Sequence, residues 1–283
     1  MTIKQKISIP PVKCQGIKSK LVPWILDKVR WDNKKGLWIE PFMGSGVVGF
    51  NMAAPRALFC DVNPHVVHFY QSINSGKIDA AGVREVLEAE ADLFVRRGAE
   101  HYYLVRERFN ESFDPMDFLI LNRSCFNGVI RFNRDGRFNV PWGHKPRRFS
   151  KAYISKIVNQ VSVVQNLCKN NDWRFVHQDY ADTLLSPGEN DFVYCDPPYV
   201  GRHVDYYNGW TEKDEINLYR LLNASNAPFI LSTWYGNRHR HNPFIEELWS
   251  AHQLHTREHF YHVGARESNR APMIEALITG YRI

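Results

Sequence analysis

No stretch of 18 or more apolar residues occurs in the 283-residue sequence, so it offers no candidate membrane-spanning helix. The first twenty residues are polar and lysine-rich and lack the apolar segment of a secretory signal, which reads as an intracellular soluble protein. The five cysteines (Cys14, Cys60, Cys125, Cys168, Cys195) are odd in number, widely spaced and without a C-x-x-C pair. That pattern excludes a disulfide framework and a zinc knuckle. The histidines form no ligand set with metal spacing; His259 and His262 lie three apart in an expected strand and so point to opposite faces. No metal site is expected. Internal repeats and Gly/Ser- or Pro-rich linkers are also missing, while 44% hydrophobic and 23% charged residues are ordinary for a folded globular chain, which excludes disorder.

Charge is present and unevenly placed. Between Arg123 and Lys151 stand eight basic residues and one acid, a local +7 in a chain whose total is +6, leaving about −1 for everything else. The block (Arg123, Arg131, Arg134, Arg137, Lys145, Arg147, Arg148, Lys151) is interleaved with Phe126, Phe132, Phe138, Trp142 and Phe149. Cations that track phosphates beside aromatics that meet bases are the composition of a nucleic-acid surface; a merely solubilising loop is the plainer alternative.

Short apolar runs at 37–40, 57–61, 174–177, 192–196 and 229–233 read as buried parallel strands, and segments of helical spacing lie between several of them. The alternation predicts a Rossmann-like, doubly wound α/β sheet. Two more strands, 255–263 and 275–279, are expected as an antiparallel pair at its edge, making seven in a mixed sheet. The alternation is interrupted from 73 to 151. Helical faces there are marked by Val83, Val86, Leu87 and Phe94 and by Tyr102, Val105 and Phe109, with Asp114-Pro115 as cap and first helical residue. Arg131 to Asn133 and Arg137 to Asn139 form the arms of a hairpin around Asp135-Gly136. The expected organisation is a catalytic domain of residues 1–72 and 152–283, with 73–151 as a mainly helical insert carrying a basic β-hairpin.

Two motifs carry chemistry. The first strand runs into Glu40-Pro41-Phe42-Met43-Gly44-Ser45-Gly46, where glycines let the backbone turn tightly and approach a ligand, and Asp61 ends the next strand, placed to accept from ribose hydroxyls. Taken alone, these residues fit a nicotinamide dinucleotide as well. The fourth strand ends in Asp196-Pro197-Pro198-Tyr199, an acid, two residues without amide donors and an aromatic at the edge where open α/β sheets bind ligands. Carboxylate and carbonyl acceptors drawing on the hydrogens of an exocyclic amine free its conjugated lone pair, and Tyr199 offers a stacking face. No protein nucleophile or metal is needed.

In combination and order, these two motifs and the segment from Phe126-Asn127-Gly128 through Phe138-Asn139-Val140-Pro141 resemble the Dam-type (alpha-group, D12 class) DNA adenine N6-methyltransferases over nearly the whole chain. The resemblance implies a class I methyltransferase fold, S-adenosylmethionine as cofactor, double-stranded DNA as partner, and Asp196, Pro197, Pro198 and Tyr199 as catalytic residues. It implies cofactor contacts from Cys14, Gln15, Gly16, Lys18, Glu40, Phe42, Gly44, Gly46, Asp61, Asp179, Tyr180 and Asp196, with Lys18 suited to the methionine carboxylate. On the DNA side it implies Lys13 at a guanine edge, Phe126 filling space around a flipped-out base, Asn127 at its abandoned partner, and Arg131, Asn133 and Pro141 on the recognition hairpin. Arg134, Arg137, Arg147 and Arg148 join them as DNA contacts. Tyr206, Tyr207 and Trp210 are expected near the extruded adenine. The resemblance further implies a monomeric prokaryotic cytoplasmic enzyme, the modification partner of a restriction endonuclease that shares its site without binding it, acting on a GAT-containing palindrome. Methylation of RNA adenine or of a protein amide, a nicotinamide-dependent oxidoreductase and a purely DNA-binding module are the alternatives.

Overall fold

The computed structural model describes residues 7–200, 209–237, 240–259 and 273–281. Seven strands form one sheet: β1 (Trp38–Glu40), β2 (Arg56–Asp61), β3 (Asp172–His177), β4 (Phe192–Cys195), β5 (Phe229–Gly236), β6 (Gln253–His259) and β7 (Met273–Gly280). Their order is β3-β2-β1-β4-β5-β7-β6. The first five are parallel, and β7 lies antiparallel between β5 and β6. Central strands covered on both faces must be apolar throughout, and every residue of β1 and β4 is buried, with Trp38 stacked on Phe192 at 5.2 Å. The expected edge pair exists, but β6 alone holds the edge, because β7 is interposed to pair with β5 from Phe229↔Gly280 to Gly236↔Ile274. The stretch expected to join these two strands, 264–272, falls outside the described residues, as do His262, Tyr206 and Tyr207.

The helices are α1 (Val22–Asp27), α2 (Val47–Met52), α3 (Pro64–Asn74), α4 (Ala80–Arg97), α5 (Ala99–Ser112), α6 (Pro115–Ser124), α7 (Lys151–Asn170), α8 (Tyr180–Thr183), α9 (Glu212–Ala224) and α10 (Phe244–Glu247). Local chemistry sets their starts. Asn63 caps α3 ahead of Pro64, Asp114 caps α6 ahead of Pro115, and Thr211 with Asp214 forms a capping box on α9. One apolar cluster joins α2, α3 and α7 to one face of the sheet; a second packs Leu218, Leu222, Ile245 and Trp249 against the other. Val83, Leu87, Phe94, Tyr102, Val105 and Phe109 of the 73–151 segment enter the first cluster. A polar staple joins α4, α5 and α6: Glu90 pairs with His101 at 2.5 Å, and Arg108 bridges Asp117 and Glu90. A buried charge costs least when it is paired in this way.

The hairpin of the basic segment is present as a narrow ladder. Asn133 N–H donates to Arg137 O at 2.9 Å, Asn139 N–H to Arg131 O at 3.2 Å, and Gly136 closes the turn at φ 72°. Its aromatics differ from the expectation. Phe138, Trp142 and Phe149 are buried in the core, and Phe132 stacks on His65 at 4.6 Å. Of the five, Phe126 is the one that stands exposed, at 51%. Pattern alone could not separate them, because an aromatic under a basic loop and one on top of it have the same sequence.

Candidate active site

Strand order runs outward in opposite directions from β1 and β4, which leaves a crevice beyond their carboxyl ends. Both motifs emerge there. After β1, Gly44 (φ 48°) and Gly46 (φ 74°) take left-handed conformations, and a Cβ on Gly46 would lie 2.4 Å from the Phe50 ring. Asp61 at the end of β2 stitches this loop down: its two oxygens accept from Gly44 N–H and Asn63 N–H, each at 2.8 Å. Burial pushes the Asp61 carboxyl above its ordinary range against those bonds. Glu40 is 1% exposed, accepts from the Trp38 indole at 2.9 Å, and is pushed up to about 8 by burial.

After β4, Asp196 meets the ammonium of Lys18 at 2.8 Å, and that ammonium also donates to Gly16 O at 3.2 Å and lies 5.1 Å from the Tyr199 ring centroid. Burial raises the Asp196 carboxyl; Lys18 and the nearby Ser232 hydroxyl oppose it. Lys18 therefore sits directly on the Asp196 carboxyl. Pro197 and Pro198 follow, and the Tyr199 hydroxyl donates to Glu275 at 3.1 Å.

These groups line one cavity of about 280 Å³. Cys14, Gln15, Gly16, Lys18, Glu40, Phe42, Gly44, Asp61, Asp179, Tyr180, Asp196, Pro197, Pro198 and Tyr199 all border it, so of the sequence-derived catalytic and cofactor set Gly46 alone acts from behind, through the turn. Phe42 stacks on Tyr180 at 5.3 Å, and Trp210 closes on both at 5.5 and 5.2 Å, forming an aromatic wall. Trp210 thus belongs to the Tyr180 side of the cavity and does not stand with Tyr199. Asp179 caps α8 through Ala181 N–H at 2.8 Å with its side chain at the cavity rim. The Cys14 thiol is pushed far up by burial, which keeps it protonated and unreactive.

The donor set discriminates between ligands. Five acids (Glu40, Asp61, Asp179, Asp196, Asp214) and one cation (Lys18) border the cavity. Gly44 N–H is spent on Asp61 and Gly46 N–H on Met43 O at 2.6 Å, so neither amide is offered to a phosphate. A pyrophosphate meets repulsion there; a sulfonium with a purine and ribose hydroxyls meets acids and an aromatic wall. The residues present fit S-adenosylmethionine and do not fit a nicotinamide dinucleotide.

Lys13, next in the chain to the cavity-lining Cys14, belongs to a cationic cluster. Arg148 and Arg123 donate to the Tyr153 hydroxyl at 2.8 and 3.3 Å, and the Lys13 ammonium stands 6.0 Å from the Tyr153 ring centroid. Burial foremost lowers Lys13 and Arg123, and against its upward pull on the phenol the cations bring Tyr153 below its ordinary value. Arg123 is 3% exposed and its Nε has no partner. No carboxylate within 4 Å neutralises the three cations among the described residues, so the cluster keeps its positive charge for an anion. Lys13 is held in place through its backbone, which exchanges bonds with the Asn122 side chain at 2.8 and 2.9 Å.

The other DNA-side residues divide. Phe126, Asn127 (φ 53°), Pro141 and Arg147 are exposed. Arg131 donates to the Asn139 side chain at 2.8 Å. Arg137 is ion-paired to Glu107 at 2.6 Å, and the Asn133 carboxamide oxygen accepts from Asp135 N–H and Arg137 N–H, which builds the turn. Sequence reasoning placed Arg123 only within the basic block and missed Glu275, Ser232 and Tyr153 beside these groups. No local signal marks them; each reaches its partner from a distant element.

A family model for the D12 class N6 adenine-specific DNA methyltransferases matches residues 15–263. The DNA adenine methylase of Serratia marcescens is 34% identical over 166 residues, 57% of either chain. That of Escherichia coli K12 is 34% identical over 185 residues, 62% of this chain and 61% of the relative. The type II methyltransferase M.FokI of Planomicrobium okeanokoites is 26% identical over 285 residues, 96% of this chain and 42% of the relative. The chain therefore spans less than two thirds of the length of each of these three relatives.

Proposed function

The chain belongs to the D12 class of N6 adenine-specific DNA methyltransferases, and from that premise we propose that it transfers a methyl group from S-adenosylmethionine to N6 of an adenine flipped out of duplex DNA. The observation that carries this reading is one cavity bordered at once by Asp196-Pro197-Pro198-Tyr199 and by the acid and aromatic set that fits the methyl donor. When bound, the donor supplies a methyl on a sulfonium that leaves as a neutral thioether. The chain's residues do the rest. Asp196 and the free carbonyls of the prolines accept from the adenine amine and draw its lone pair out of conjugation, while Tyr199 stacks on the base and holds it in line. Lys18 opposes the rise that burial imposes on the Asp196 carboxyl.

Residues 73–151 form the target-recognition segment in this reading. Arg134, Arg147 and Arg148 meet phosphates, Lys13 and Arg131 meet base edges, and exposed Phe126 and Asn127 face the gap the adenine leaves. In this reading the enzyme acts as a monomer in the cytoplasm as the modification arm of a restriction system. Among the described residues no helix is long and apolar enough to cross a membrane, and no group of three or more His, Cys, Asp or Glu side chains is arranged to hold a metal.

Nucleoside mass spectrometry of duplex DNA incubated with the protein and S-adenosylmethionine tests the reading. N6-methyldeoxyadenosine is expected. N4-methyldeoxycytidine would overturn the base assignment, and an unmodified duplex alongside methylated RNA or protein would overturn the substrate.

A further inference from the structure

A carboxylate in the interior of a sheet requires an account, because burial of a charge costs several kcal/mol unless a partner compensates it. Glu275 is such a group. It is 1% exposed on β7, followed by the buried Ala276, Leu277 and Ile278, with Trp234 and Arg257 as its backbone partners on β5 and β6. Its carboxylate accepts from the Tyr199 hydroxyl at 3.1 Å, and its field reaches Asp196.

Tyr199 is thereby held at both ends. Pro197 and Pro198 restrict the backbone that leads to it, Glu275 anchors the far end of the ring, and the Lys18 ammonium lies 5.1 Å from the ring centroid. The ring is 6% exposed and borders the cavity. A stacking platform for a planar base works only if its plane is fixed before the base arrives, since a displacement of about 1 Å at a reacting centre can lower the rate about 100-fold. We propose that Glu275 is a positioning residue for methyl transfer, acting as the hydrogen-bond acceptor that fixes the Tyr199 ring against which the target base stacks. This rests on the methyltransferase reading above. It adds a residue from the antiparallel strand, outside the Asp196–Tyr199 motif, to the machinery of that site.

The test uses the full chain and four variants: Glu275→Ala, Glu275→Gln, Tyr199→Phe and the double variant Glu275→Ala with Tyr199→Phe. Readouts are single-turnover methylation, binding constants for S-adenosylmethionine and for duplex DNA, and the fluorescence of 2-aminopurine replacing the target adenine, which needs no turnover. Glu275→Ala and Tyr199→Phe are each expected to slow transfer about tenfold with both binding constants within about twofold of the parent, and to alter 2-aminopurine fluorescence alike. The double variant is expected to be no more than about threefold worse than either single one, because both remove the same bond. Glu275→Gln, which keeps an acceptor oxygen, should stay within about threefold of the parent. Equal damage from Glu275→Gln and Glu275→Ala, or losses that multiply in the double variant, overturns the proposal. Loss of β7 packing is controlled by Tyr199→Phe, which leaves the strand intact. Failure of the unsubstituted chain to methylate DNA is a different result and refutes the function on which the proposal rests.

Discussion

Glu40 gives the sharpest handle on the site. Its carboxyl is held at about 8 by burial, against 4.5 for an ordinary glutamate, so the folded chain keeps it protonated where the unfolded chain ionises it. Between those two values the unfolded state binds fewer protons, and stability falls as pH rises from about 4.5 to about 8. A shift of that size corresponds to about 5 kcal/mol across the window, a large share of a total stability of about 5–15 kcal/mol. Asp61 and Asp196, also raised by burial, act in the same direction. Glu40→Gln mimics the protonated group and keeps an acceptor for the Trp38 indole. It is expected to flatten much of the slope in urea unfolding at pH 5.5, 7 and 8.5, and to stand above the parent at the highest pH. A cationic methyl donor in the same cavity should favour the ionised Glu40, so titration calorimetry in two buffers of different ionisation enthalpy should show proton release on binding to the parent and less to the variant. An unchanged pH slope in Glu40→Gln would refute the assignment of the perturbed group.

Asp196→Ala is expected to abolish methyl transfer while leaving DNA binding largely intact; a variant with substantial turnover would remove Asp196 from the chemistry. Gly49→Ala places a Cβ 2.3 Å from the Phe59 ring and 2.7 Å from Glu40, and should destabilise by about 1–3 kcal/mol despite the better helix propensity of alanine. Gly82→Ala meets only Asp79 at 3.4 Å and should stabilise by about 0.4–1 kcal/mol, so chemical denaturation should give the two substitutions opposite signs. In salt titrations of DNA affinity, Arg148→Ala should reduce the slope by about one, while Arg137→Ala, whose charge is already answered by Glu107, should change it less.

Seven strands, their order of appearance and the two ligand-binding turns were legible in the sequence because each depends on neighbours along the chain. An apolar run bounded by turn residues is a buried strand wherever it lies, and glycines that must adopt left-handed angles announce a tight turn. Asp114-Pro115 and Asp135-Gly136 were equally local and were read correctly. The cofactor constellation came from motifs whose spacing is tied to strand ends, and the structure gathers those residues around one cavity. What only the tertiary structure decided are meetings between distant residues. The interposition of β7 between β5 and β6 brings Glu275 under Tyr199, 76 positions away; chain reversal brings Lys18 onto Asp196; packing of α5 against the hairpin pairs Arg137 with Glu107, and packing of α6 against α7 buries Arg123 against Gln160 and Tyr153. Burial of Phe138, Trp142 and Phe149 is of the same kind. Periodicity reports which face of an element is apolar, whereas the partner of a charge, and the side of a loop on which a ring lies, are set by what else occupies that space.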